Sequence, residues 1–157
     1  EVNAHEIDFL RFVAGCEATS VFAVGGNYIN REVDFPDAVL VSITFESGAV
    51  GSLHSSNAST IGGYGGRVDC EKGSLVFPSF WGDDAKLMYQ VGDSDTVSIS
   101  ADDLKGDLSP VAQEIDAFAK AVLAGETPPV KGEDGRAVVA IAEAAYDSVE
   151  QGKPVTL

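Results

Sequence analysis

Residues 38–56 read AVLVSITFESGAVGSLHSS. Two Val- and Ile-rich runs flank Phe45-Glu46-Ser47-Gly48-Ala49, which reads as a tight hairpin turn. The same texture spreads outward from it. SVFAVGGNYI lies before this pair, and GRVDCE, SLVFP, AKLMYQV and TVSIS follow, separated by turn signals such as EKG and GDSD. Lys72-Gly73 marks a second hairpin. Helical spacing brackets the strands. Ile7, Leu10 and Ala14 share one face of a helix over residues 5–14, with Gly15 as its stop. Ser109-Pro110 is an N-cap and first-turn pair for a helix to about Ala124, closed by Gly125, and Thr127-Pro128-Pro129 forbids its continuation. A further helix runs from about Asp134 to Glu150, and a last short strand falls at 155–157. This order predicts an α+β domain: an open, mostly antiparallel sheet with helices packed on one face. The other face needs a cover, and a second subunit is the expected one.

The chain has 157 residues, enough for one domain, and a hydrophobic fraction of 45% that suits a packed core. No apolar run approaches the roughly 20 residues of a membrane span, and no signal-peptide pattern is present. Two cysteines, Cys16 and Cys70, make no disulfide scaffold, so a reduced, cytoplasmic protein is expected. The net charge of −15 excludes nucleic acid and anionic membrane as partners, since phosphate would be repelled. A solvated acidic surface explains that charge. A high-salt cytoplasm is the sharper reading, and it requires an unfolding midpoint that rises in molar KCl.

Few residues suggest chemistry. Glu1 and His5 stand four apart, on one face of a helix, with Asp8 a turn further on. A carboxylate beside an imidazole orients it and raises its pKa, which suits a general acid/base. IGGYGGRVDC lacks the GxGxxG spacing and leads into a strand, so it reads as a connection rather than a nucleotide loop. His54 and Asn57 lie near a strand end, and Tyr64 and Trp81 are aromatic residues suited to a sugar pocket or to core packing. No metal-ligand spacing is present, and the chain contains no nucleophile elbow.

Order and detail together resemble a known family. AHEIDFLRFVAG is similar to the H-D-I-D-L-L-R-W-L-x-G segment that follows the Rossmann domain in the glucose–fructose oxidoreductase/inositol dehydrogenase (Gfo/Idh/MocA) family. AVLVSITFESGAVGSLHSS resembles its strand–hairpin–strand, GRVDCEKGSLVF its next hairpin, and PPVKGEDGRAVVAIAEAAYDSVEQGKPVTL its closing helix and strand. The resemblance covers essentially the whole chain.

It implies that these residues are the C-terminal domain, used for substrate binding and oligomerisation, of an enzyme whose N-terminal Rossmann domain binds NAD or NADP. On this reading the chain is a fragment, as the missing initiator Met suggests, and is inactive alone. It lacks a glycine-rich nucleotide loop and the Glu-Lys-Pro segment that supplies the family's substrate-facing lysine. The family's D-x-x-x-H motif falls on Glu1 and His5, with Glu standing where Asp is usual. His5 would exchange a proton with a substrate hydroxyl. Asp8 would serve helix packing or capping, and His54, Asn57, Tyr64 and Trp81 would line the substrate. The implied partners are a sugar- or polyol-like molecule, the chain's own Rossmann domain, and further copies forming a dimer or tetramer through the open sheet face. The alternative is a ligand-binding or dimerisation module that keeps the fold without the chemistry.

Overall fold

A computed structural model describes residues 3–80 and 85–157. Its elements are α1 (Ala4–Ala14), β1 (Ala18–Gly26), β2 (Ala38–Phe45), β3 (Val50–Ser56), β4 (Gly66–Cys70), β5 (Gly73–Phe77), β6 (Lys86–Val91), β7 (Val97–Ser100), α2 (Ala101–Leu104), α3 (Pro110–Ala124), α4 (Gly132–Gln151) and β8 (Val155–Thr156). The α+β class stands. The strands divide, however, into two four-stranded antiparallel sheets, ordered β3-β2-β1-β8 and β4-β5-β6-β7, rather than forming one meander. The chain correspondingly folds as two compact units, residues 1–60 with 130–157, and residues 61–129.

In the first unit the sheet alternates strictly. Val21 and Ala23 of β1 and Val41, Ile43 and Phe45 of β2 are buried, while Phe22, Val24 and Leu40 between them face outward. The buried set packs against Ile7 of α1 and Val138, Ile141 and Ala144 of α4, whose spacing is one helical stripe. Both helices therefore cover one sheet face. The turn after Phe45 puts Gly48 at φ 82°, a left-handed conformation that side chains with a Cβ resist.

Two polar devices close this core. Ser148 of α4 has no exposed surface; its Oγ accepts the Ala23 N–H at 2.9 Å and donates to the Lys153 carbonyl at 2.7 Å. β8 pairs with β1 only at Ser20 and Val21, so Ala23 lies beyond its reach and takes its partner from Ser148. At the far end of β1, Asp37 is 2% exposed, and its carboxylate accepts the backbone N–H groups of Tyr28 (2.9 Å), Ile29 (2.7 Å) and Asn30 (2.7 Å). Those bonds hold its carboxyl below the usual carboxylate range, the Tyr28 N–H contributing most.

In the second unit, register places Val68, Leu75 and Tyr89 on one face of the sheet and Arg67, Val76 and Met88 on the other. Arg67 and Asp69 form a two-pronged pair, and the Ser74 hydroxyl donates to Asp69 at 2.6 Å. The Arg67 guanidinium and that hydroxyl bring the Asp69 carboxyl down to about 2.

Candidate functional site

α1 is built to present its first turn. Ile7 is buried and Leu10 and Ala14 pack on the core, as their spacing predicts, and Gly15 caps the C-terminus at φ 66°. The same frame leaves His5 exposed, one residue into the helix. Its imidazole makes no hydrogen bond or ion pair among the described residues. Glu1 lies outside the described residues, as does Trp81. Beside His5, Glu6 carries a buried Oε2 that meets no hydrogen-bond donor among the described residues.

The helix is fixed from its other end. Arg11 is 8% exposed, yet all five of its N–H donors are used. Nε and Nη2 grip Glu17 at 3.1 and 2.7 Å, Nη1 meets Asp8 at 3.0 Å and the Asp134 carbonyl at 3.4 Å, and Nη2 also reaches Asp134 Oδ1 at 3.4 Å. Asp134 in turn accepts the Lys131 N–H at 2.8 Å through Oδ2, so one carboxylate starts α4 and clamps α1. That N–H is the main reason the Asp134 carboxyl sits below its usual range, with the Arg11 guanidinium adding to it. Asp8 is neither a cap nor part of the core; it pairs with Arg11 one turn along the same helix. Arg11 and Asp37, the best-anchored charges of this unit, are structural residues that sequence reasoning passed over.

Within the first unit, His54 is not brought to His5. His54 is exposed in the middle of β3, opposite Leu40, and faces away from the helices because Leu53 beside it packs on the core. His5 and His54 therefore serve opposite sides of the sheet. Asn57 follows β3, and its N–H donates to the Asp37 carbonyl at 2.8 Å. Tyr64 belongs to the second unit, where its ring meets Phe80 edge-on at 5.0 Å and Phe80 stacks on Phe77 at 5.0 Å. The glycine-rich run before Arg67 enters β4 directly, with no helix after it. It offers no phosphate cradle of the strand–loop–helix kind, so the described residues do not fit a nicotinamide dinucleotide by themselves.

Among the described residues no helix is long and apolar enough to cross a membrane. They also hold no cluster of three or more His, Cys, Asp or Glu side chains placed to bind a metal ion.

Comparison with known proteins accords with this architecture. The family model "Oxidoreductase family, C-terminal alpha/beta domain" matches residues 2–157. The chain is 28% identical over 162 residues to a myo-inositol 2-dehydrogenase of Thermotoga maritima, covering all of this chain and 48% of that protein. It is 27% identical over 164 residues to an NAD(+)-dependent scyllo-inositol 2-dehydrogenase of Bacillus subtilis, of which it covers 46%. Among solved structures, an aldose–aldose oxidoreductase of Caulobacter crescentus, complexed with glycerol, superposes with a TM-score of 0.79 at 22% identity, over 99% of this chain and 46% of that one. A UDP-N-acetylglucosamine 3-dehydrogenase of Acidithiobacillus ferrooxidans gives 0.80 at 21% identity, over 94% and 46%. The chain spans about half the length of the relatives it matches. With its full length matched by the family model, and with its α+β fold shared by these enzymes, the chain belongs to the C-terminal alpha/beta domain of the Gfo/Idh/MocA oxidoreductase family.

Proposed function

We propose that this chain is the substrate-binding and assembly half of an NAD(P)-dependent, cytoplasmic oxidoreductase acting on a sugar- or polyol-like hydroxyl. The observation that carries the reading is the whole-length family match, joined to an exposed histidine at the first turn of α1. Two of the relatives act on inositols by name, which favours a polyol.

Oxidising a secondary alcohol requires a group that takes the hydroxyl proton. His5 fills that role, since an imidazole nitrogen accepts a proton and this one is held in place by a helix that the Arg11 cluster locks. Glu1 is assigned to orient it. Asn57 is a proposed substrate contact, and the outward face of β1 and β2, with Phe22, Val24 and Leu40 and with His54 opposite Leu40 on β3, is the proposed contact between subunits. Nicotinamide chemistry belongs to the Rossmann half and is not performed by these residues.

The second reading is a ligand-binding or dimerisation module without turnover, favoured by Glu1 standing where the family usually carries Asp. The coding sequence upstream of Glu1 separates the two. An in-frame strand–GxGxxG–helix unit with a later Glu-Lys-Pro supports the oxidoreductase; a frame without a nucleotide fingerprint leaves the module.

A further inference from the structure

His5 makes no side-chain bond among the described residues, so the aim of its imidazole is inherited from the backbone of α1. Ile7 and Leu10 hold that helix to the sheet. Apolar burial of this kind is non-directional and leaves the helix free to slide or turn slightly. Arg11 supplies the direction. It lies one turn past Ile7 on the buried side, where an amphipathic helix ordinarily carries another apolar residue. Burying a guanidinium there carries a desolvation penalty that a well-packed apolar side chain avoids, so stability alone is a poor reason for it.

Register is a better reason. The planar fork meets Glu17 through two parallel bonds, which fix its rotation as well as its distance. The other bonds run to Asp8 on α1 itself and to Asp134 in the first turn of α4. One group is thus located from the helix, from the segment entering β1 and from α4, all within the first unit. Continuous helix carries that placement from Arg11 back to His5, a distance of about 9 Å.

We infer that Arg11 is a positioning residue for the proton transfer: its hold on the register of α1 sets kcat, separately from its share of the stability. The inference rests on the role given to His5 above. A misplacement of about 1 Å costs roughly 100-fold in rate, so a looser α1 is expected to lose about tenfold.

The test uses the full-length protein with myo-inositol and NAD+. Arg11→Met keeps a long side chain without the fork, and Arg11→Lys keeps the charge without it. Each should lower kcat about tenfold or more, well below its own Tm, with KM within about threefold of the parent's. Ser148→Ala, which loosens another part of the same unit, should keep the parent's kcat. The Ile7 amide bonds to the Asn3 carbonyl at 3.0 Å in the first turn of α1. Its hydrogen exchange should quicken at least about fivefold in both Arg11 variants, while the β1 and β2 amides stay protected. Parental kcat in either Arg11 variant, an equal loss in Ser148→Ala, or unchanged exchange at Ile7 overturns the inference. The two ideas fail separately. A parent that turns over no myo-inositol counts against the reading of His5, and the Ile7 amide then decides the lock by itself.

Discussion

Arg11 and Glu17 meet through two parallel bonds, Nε to Oε2 at 3.1 Å and Nη2 to Oε1 at 2.7 Å, and so tie the end of α1 to the segment entering β1. The guanidinium is buried, while its carboxylate partners keep part of their surface in water. Arg11→Ala should destabilise the domain by about 2–3 kcal/mol, below the full cost of breaking a wholly buried pair because the stranded carboxylates remain hydrated. Arg11→Lys should recover only part, since an ammonium cannot form the fork. Urea unfolding measures both, and equal stability of Arg11→Lys and the parent would show that the fork is unimportant.

Ser148 gives a second, independent prediction. Ser148→Ala leaves the Ala23 N–H inside the core without an acceptor, and about 1–3 kcal/mol of stability should be lost. Exchange of the Ala23 amide should accelerate with it. If stability holds and that amide stays protected, another acceptor must replace the hydroxyl.

Ile43 and Ile141 face each other's elements in the same core, and both are all but fully buried. Replacing either with Ala should cost about 2–5 kcal/mol, whereas Leu40→Ala on the outward face of β2 should cost much less in the isolated chain. Similar losses at all three positions would contradict the assigned sheet faces.

The lowered carboxyls of Asp37, Asp69 and Asp134 all contribute to the acid response. A group whose pKa is depressed on folding stabilises the native state above its ordinary value of 3.8 and loses that contribution as pH falls through the folded value. Stability should therefore drop below about pH 4. Asp37→Asn should flatten that fall, because the side chain no longer titrates. A curve as steep as the parent's would remove Asp37 from the acid response.

How far the fold could be read depended on the range of each interaction. The 7–10–14 spacing of α1, the Ser109-Pro110 start of α3 and the turn at Gly48 are local, and the structure carries them out within a residue or two. The division into two sheets was not legible, because a nine-residue connection between β3 and β4 decides whether those strands pair. α2 has four residues, too short for a periodic signal, and is visible only through its Ser100 cap. Arg11 reads as one more surface charge until its partner Asp134 arrives 123 positions later. Asp37 reads as an ordinary turn residue, although it organises the loop before β2. The place of His5, exposed one residue into α1, follows from helix periodicity, and its role is the proposal above. The place of His54 was not legible, because the strand's alternation sends the ring to the side opposite α1 and α4.

The most direct test is turnover of a polyol by the full-length protein carrying His5→Ala. The proposed proton transfer predicts a fall in kcat of about 100- to 10,000-fold, with the Tm retained because His5 is exposed. A loss below about tenfold at unchanged Tm would contradict it and take His5 out of the mechanism.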